Sequence, residues 1–393
     1  MIRRITIIVL DSLGLGALPD AEKFGDKGAD TFGHIADEYD LNIPNLLKLG
    51  LGNIDGAAGG RLKIGDKPLG AYGRFAEKSV GKDTITGHWE IAGLYTDTPF
   101  KTYPDGFPQE VMDAFEKAIG RGWLGNFPAS GTEIIEQLGE EHERTGKVIV
   151  YTSADSVFQI AANVDIVPLE ELYDICEKAR ELLQGEYACG RVIARPYIIE
   201  DGKRTRTSDR KDYAVSPPES TMLDIISDEG KTVYAIGKIK DIFNGSGVTR
   251  DVHTESNDDG VTKTIEALGE DFEGLIFTNL VDFDSKFGHR RDAEGYGKAI
   301  EEFDNRLPEI MAAMKEDDVL ILCSDHGNDP IHTGWDHTRE YILGIAAGAG
   351  IKENINLGTR ESFSDIGATV VDMLTDGKKK TSIGKSFRDL IEK

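Results

Sequence analysis

The segment CSDHGNDPIHTGWDHTRE, Cys323 to Glu340, places three histidines and four acidic residues in eighteen positions, directly after the apolar run DVLILC. Asp325 and His326 follow that run after Ser324, and His337 comes after a loop marked by Gly327, Asn328, Pro330 and Gly334. A carboxylate combined with imidazoles suits zinc, manganese or iron, whereas calcium would ask for an all-oxygen cage. A second cluster, NLVDFDSKFGHRRD (279–292), carries Asp282, Asp284 and His289. Asp284 and His289 reach one metal if the segment turns at Gly288. Alternation along a strand would set Asp282 on the same face as Asp284 but one step deeper, which weakens its claim. The third cluster is LDSLGLG (10–16), where Asp11 ends an apolar run and Gly14 and Gly16 permit a tight turn. Any one of these clusters alone would pass for helix caps and loop polar groups. Together they supply six ligands, Asp11, Asp284, His289, Asp325, His326 and His337, enough for two metals with positions left open. Two neighbouring metals can hold the attacking and leaving oxygens of a phosphoryl transfer.

Such chemistry also asks for a nucleophile. The stretch SVGKDTITGHWEIAG (79–93) offers Thr84 and Thr86 in a glycine-rich polar setting, flanked by Lys82, Asp83, His88 and Trp89. A threonine hydroxyl is a weak nucleophile until a metal or a base activates it. Composition and spacing do not choose between the two threonines, and the same stretch would serve as a turn leading into a helix N-cap.

The elements that must gather these groups are legible as apolar runs. ITIIVL (5–10), VIVYTSAD (148–155), TVYAIG (232–237), GLIFTNLVDFD (274–284), VLILCSD (319–325) and YILGIAAG (341–348) are short and rich in β-branched residues, and predict buried strands. Helical segments lie between several of them. In 295–316, for example, Ile300, Phe303, Leu307, Ile310 and Met314 recur at helical spacing. The alternation predicts an α/β fold, a mostly parallel, doubly wound sheet flanked by helices. Three of the strands run into Asp11, Asp284 and Asp325, and ligand sites of open α/β sheets gather at the carboxyl ends of strands.

A chain of 393 residues exceeds the size at which one core usually keeps growing, so two domains are expected. TDTPFKTYPDGFP opens and VSPPES closes a stretch with its own strands, helices and basic loop. It is read as an inserted cap over 97–217, which leaves 1–96 and 218–393 as the core. With 70 acidic and 45 basic residues the net charge is −25, which repels nucleic acid and anionic membranes. Any phosphate ligand must therefore be captured by local cations or metals. Cys176, Cys189 and Cys323 are few and widely spaced, unlike a disulfide framework or a thiolate zinc site. MIRRITIIVLDSLG carries Arg3 and Arg4 before an apolar run, but Asp11 cuts that run too short for a signal peptide. A cytoplasmic protein with a small-molecule partner is the expectation.

The stretches DSLGLGALPDAEKFGDKGADTFGHIA, GKDTITGHWEIAGL, YTSADSVFQIAA, GRVIARP, AIGKIKDIFNGSGVT, LVDFDSKFGHRRD and SDHGNDPIHTGWDHTREY, in this order, resemble the phosphopentomutase family of the alkaline phosphatase superfamily. The resemblance spans nearly the whole chain. It implies an alkaline phosphatase-like core carrying two Mn2+ per chain, with a smaller α/β cap inserted that keeps water from the site. Within that family pattern Thr84 of KDT bears the phosphoryl group. Asp11, Asp325 and His326 share one metal with it, and Asp284, His289 and His337 hold the other. Asp155 resembles the contact to a sugar hydroxyl. Arg191 and Lys238 resemble the cations that hold the distal phosphate, with Arg195, Arg206 and Arg210 as further candidates. The implied reaction interconverts ribose 1-phosphate or 2-deoxyribose 1-phosphate and the 5-phosphate, through phosphorylated Thr84 and a pentose bisphosphate. A sugar bisphosphate of the glucose 1,6-bisphosphate type would prime it, and the reaction would link nucleoside breakdown to pentose phosphate metabolism.

The same ligands would also serve a metal-dependent phosphatase or a phosphoglycerate mutase-like enzyme. A non-catalytic sugar-phosphate binding protein is a further alternative, against which the intact Thr84 stands. Histidine ligands bind metal only when neutral, so metal affinity and activity are expected to fall together below neutral pH.

Overall fold

A computed structural model describes residues 2–57, 62, 67–153 and 156–393. Asp155 lies outside the described residues. The chain divides into two compact units, one made of Met1–Thr98 and Pro217–Lys393, the other of Pro99–Ser216. The first stretch holds β1 (Arg4–Leu10), β2 (Gly14–Ala17) and β3 (Ala71–Phe75). The second unit holds β4 (Trp123–Pro128), β5 (Val148–Thr152), β6 (Val157–Asn163), β7 (Arg191–Glu200), β8 (Lys203–Arg206) and β9 (Lys211–Ala214). The first unit then resumes with β10 (Thr232–Ile236), β11 (Arg250–Val252), β12 (Gly274–Leu280), β13 (Asp318–Cys323), β14 (Glu340–Ala347) and β15 (Ile355–Arg360).

In the larger unit the sheet order is β11-β10-β12-β1-β13-β14-β3-β15, with β2 paired to β14. Strand β1 is parallel to both neighbours, with Leu10 opposite Leu280 of β12 and Val9 opposite Cys323 of β13. Strand β14 runs against all three strands it pairs with, β13, β2 and β3. Every residue of β1, β12 and β13 is buried, as expected of parallel strands covered on both faces. Ile8, Leu10, Ile276, Leu280, Leu320 and Leu322 turn to one face, where they join Ile35, Phe303, Leu307 and Ile310 from helices in a single apolar core. Ile5, Ile7 and Val9 turn to the other, and the buried helix Ser364–Thr375 packs on β1.

The second unit has a mixed sheet, β4-β5-β6-β7-β8 with β9 on β7, and an apolar core on each of its faces. Phe115 and Phe158 anchor one, Ile134, Tyr151 and Tyr197 the other. It is itself an α/β unit. No helix among the described residues is long and apolar enough to cross a membrane.

Several element bounds differ from those read off the sequence. The run 274–284 is a strand only as far as Leu280, because residues Phe283–Gly288 wind into a π-helical turn. The helix assigned to 295–316 spans Ala293–Ala313, and Met314 already has extended backbone. Strand β5 stops at Thr152, short of the expected 155.

Candidate active site

Strands β12, β1 and β13 lie side by side and parallel, so their carboxyl ends open at one edge. Asp11 follows β1 directly, and Asp325 follows β13 after Ser324. Asp284 comes four residues after β12, carried back toward its neighbours by the π-helical turn. Ser12 takes a left-handed backbone (φ 65°) immediately after Asp11, and no helix starts there. Its N–H donates to Asp325 Oδ1 at 3.0 Å, which stitches the ends of β1 and β13 together. The turn expected at the glycines thus falls on Ser12. Gly14 instead allows close approach, since a Cβ there would sit 2.2 Å from Glu340 Oε2.

Two groups of ligand atoms result. Asp11, Asp325 and His326 each offer an atom within 4.8 Å of the others, as do Asp284, His326 and His337. His326 therefore lies between the two groups. Its Nε2 is 3.5 Å from Asp11 Oδ1 and 3.3 Å from Asp325 Oδ2, and it stacks on His337 with ring centres 4.0 Å apart. His289 joins the second group through Nε2, 3.2 Å from Asp284 Oδ2 and 3.0 Å from His337 Nε2. The far nitrogens are tied to the backbone. His326 Nδ1–H donates to the Gly327 carbonyl at 3.0 Å, and His337 Nδ1–H to the Lys82 carbonyl at 3.1 Å. Each ring so turns Nε2 toward the cluster, the usual way a second layer of contacts orients a histidine ligand.

Thr84 begins the helix Thr84–Ile91, with Asp83 as its N-cap. Its Oγ1 is half-buried and 3.2 Å from His326 Nε2. The Thr86 hydroxyl faces elsewhere: it is fully buried and donates to Asp83 Oδ2 at 2.6 Å. Gly87 sets the closeness of this helix to the site, because a Cβ there would fall 2.1 Å from the Asp325 carbonyl oxygen.

The electrostatics of the cluster fit a cation. Burial, then the charges of Asp325 and Asp284, push the Asp11 carboxyl well above its ordinary range. Burial also works against ionisation of Asp284, yet His337 and His289 hold it well below that range. Asp325 is likewise lowered, burial being outweighed by His326 and His88. Burial disfavours charge on His326, but Asp325 and Asp11 lift it to about 9. Asp11 Oδ1 and Asp325 Oδ2 have no aligned hydrogen-bond donor among the described residues. A buried, unpaired polar atom costs about 1–3 kcal/mol and a charged one more. Metal ions would relieve that cost, and the mixed carboxylate and imidazole donors match a first-row divalent metal.

Of the remaining candidates, four cluster in the second unit. Arg210 donates through Nε and a terminal nitrogen to Asp212 at 2.7 and 2.6 Å, and Arg191 lies 3.5 Å from the same carboxylate. Arg195 donates to Gln159 Oε1 at 3.1 and 3.0 Å. The Arg206 guanidinium lies beside the Tyr151 hydroxyl over Gly131. Lys238 belongs to the other unit, where it is exposed at the start of the helix Ile239–Ile242.

The family model for the metalloenzyme superfamily matches residues 3–376. A phosphopentomutase of Clostridioides difficile is 56% identical over 388 residues, covering 98% of both chains. One from Caldanaerobacter subterraneus is 54% identical over 387 residues, again covering 98% of each. The chain belongs to the phosphopentomutase family. Like the rest of that family it is an isomerase, an intramolecular phosphotransferase, with metal as cofactor. A solved Pyrococcus horikoshii protein shares the fold, with a TM-score of 0.53 at 15% identity over 96% of this chain and 99% of that one.

Residues that orient the carboxylates of the cluster escaped the sequence. Asn279 Nδ2 donates to Asp11 Oδ2 at 2.8 Å, and Asn328 Nδ2 to Asp284 Oδ1 at 2.7 Å. Arg291, in a left-handed backbone (φ 56°), holds Asn328 Oδ1 at 3.1 Å. An asparagine at a strand end carries no distinguishing signal in one sequence. The only trace was that Asn279 and Asn328 fall inside the two ligand clusters.

Proposed function

We propose that this protein interconverts ribose 1-phosphate, or its 2-deoxy analogue, and the corresponding 5-phosphate, with Thr84 as the residue that carries the phosphoryl group between positions. The observation that supports this most is the Thr84 hydroxyl, 3.2 Å from His326 Nε2 at the first turn of a helix whose backbone N–H groups favour an anion. Asp11, Asp325 and His326 would hold one Mn2+ together with Thr84, and Asp284, His289 and His337 the second. When bound, the metals supply positive charge for the transferring phosphoryl oxygens and ease deprotonation of the attacking hydroxyl.

The remaining steps belong to the chain and its substrate. The free sugar hydroxyl takes the phosphoryl group of phospho-Thr84, so the P–Oγ bond breaks as the new P–O bond forms and the hydroxyl proton ends on the leaving Thr84 Oγ, giving a pentose bisphosphate. The other phosphate of that intermediate then returns to Thr84, and the sugar leaves as the isomer. His326 and His337 are kept with Nε2 toward the reacting region by the Gly327 and Lys82 carbonyls, so little reorganisation is needed during transfer. Arg191, Arg195, Arg206 and Arg210 form a basic cluster within the second unit that suits a phosphate, and the family resemblance adds Lys238 and Asp155 as candidate substrate contacts. A sugar bisphosphate would phosphorylate Thr84 at the outset.

The test is an assay of purified protein with Mn2+, a trace of sugar bisphosphate and ribose 1-phosphate, following ribose 5-phosphate and inorganic phosphate together. Ribose 5-phosphate with little free phosphate is the expected result. Free phosphate alone would make the protein a phosphatase, and neither product would remove the substrate assignment.

A further inference from the structure

One buried imidazole outside the ligand set touches the nucleophile segment and the carboxylates at once. His88, on the helix Thr84–Ile91, is 0% exposed. Its Nδ1 lies 2.9 Å from the Thr84 carbonyl oxygen and 3.1 Å from Asp325 Oδ2. On the other side, Nε2 faces Asn279 Nδ2 at 3.4 Å, and the same Nδ2 donates to Asp11 Oδ2 at 2.8 Å. These partners decide where the protons are. A carbonyl and a carboxylate only accept, so Nδ1 carries the hydrogen. An amide nitrogen only donates, and its two hydrogens go to Asp11 and to the lone pair on Nε2. The reverse amide orientation would set Asn279 Oδ1 against the Asp11 carboxylate.

We propose that His88, with its ring fixed from the far side by Asn279, is a positioning residue whose Nδ1–H holds the Thr84 turn in place beside Asp325. The inference rests on Asp11 and Asp325 being metal ligands. It connects the start of the nucleophile helix with the ends of β1, β12 and β13 through two side chains. The competing role is simple packing, since the ring also lies 5.9 Å from that of Phe277.

Two substitutions separate the roles. In His88→Asn the amide nitrogen occupies the place of Nδ1 and keeps the donor toward the Thr84 carbonyl. In His88→Gln the side chain is closer to histidine in volume, but its amide reaches the place of Nε2. Positioning requires that Asn outperform Gln, whereas packing requires the opposite. The readout is Mn2+ affinity, measured by titrating the metal-stripped full chain with Mn2+ alone. His88→Gln is expected to bind about 10–100-fold more weakly than the wild type, the usual effect of losing a residue that orients a ligand, and His88→Asn substantially less weakly than that. kcat should fall in the same order with KM nearly constant. Equal or better Mn2+ binding by His88→Gln would overturn the proposal. Should either variant fail to fold, His88→Leu, which fills similar space with no polar group, takes its place: weakened Mn2+ binding supports the proposal, and wild-type affinity overturns it. Because Mn2+ binding is read directly, a wild type that binds metal but does not isomerise ribose 1-phosphate would strike the assigned reaction and leave this test intact.

Discussion

Thr84 and Thr86 stand two positions apart on one helix, and their hydroxyls have different employment. The Thr86 Oγ1 is committed to Asp83 and helps cap the helix, while the Thr84 Oγ1 points at His326. Thr84→Ala is therefore expected to lower turnover by at least about 10³-fold, since a covalent route loses its nucleophile, with most metal retained. Thr86→Ala should remain active and lose about 1 kcal/mol of stability, a typical value for a capping contact. Kinetics and thermal melts of the two variants side by side check this, and an active Thr84→Ala enzyme would remove the covalent route. Asp284→Ala or His337→Ala should halve the metal content measured by elemental analysis; two metals per chain in either variant would contradict the assignment of ligands. Composition and spacing left the choice between the threonines open, because it depends on which hydroxyl the N-cap carboxylate claims, and only the family resemblance named Thr84. Asp11 and Asp325 were legible, because a buried apolar run that stops at an aspartate marks a strand end.

At the scale of elements, the site is made by close approach. The helix Thr84–Ile91 can come near Asp325 only because position 87 has no side chain. Gly87→Ala is expected to displace the helix start, lowering kcat well beyond what its loss in melting temperature explains; unchanged kcat would separate the helix position from the chemistry. The sequence missed the way Asp284 arrives, since GLIFTNLVDFD is apolar enough to continue as a strand to its end. The chain leaves the sheet at Leu280 instead, and the π-helical turn brings Asp284 and His289 to one side. The alternation argument against Asp282 therefore does not apply. That residue accepts from the Asn257 N–H and pairs with Lys286, each at 3.0 Å.

In the second unit, His142 joins the helix Gly131–Thr145 to β6 by accepting the Asn163 N–H at 2.9 Å on Nε2. Burial lowers this imidazole below its ordinary value of 6.5. A depressed pKa in the folded state gives stability that is present above 6.5 and lost as pH falls below it toward the folded value. Urea unfolding at pH 7 and pH 5.5 should thus show a decrease for the wild type that is smaller in His142→Gln. An equal decrease in both would clear His142 of that role.

For the whole molecule, the alternation of apolar runs and helical segments foretold a mostly parallel α/β sheet, and that is the fold of the larger unit. The reversed course of β14 was not foretold, because direction leaves no mark on a buried strand's composition. The chain carries a net charge of −25 and buries Asp11, Asp284 and Asp325 within one cluster. Without metal, this cluster should be a weak point of the fold. Chelation is expected to lower the melting temperature and Mn2+ to restore it, since a ligand at 100 times its Kd adds about 2.7 kcal/mol to a state it binds selectively. Insensitivity to both treatments would argue that the cluster holds no metal.

The measurement that bears most directly on the central claim is mass spectrometry of protein quenched during turnover of ribose 1-phosphate with Mn2+ and a sugar bisphosphate. Phosphate on Thr84 in the wild type, formed as fast as turnover and absent before priming, is the expected result. Steady turnover to ribose 5-phosphate with Thr84 unmodified throughout would contradict the account.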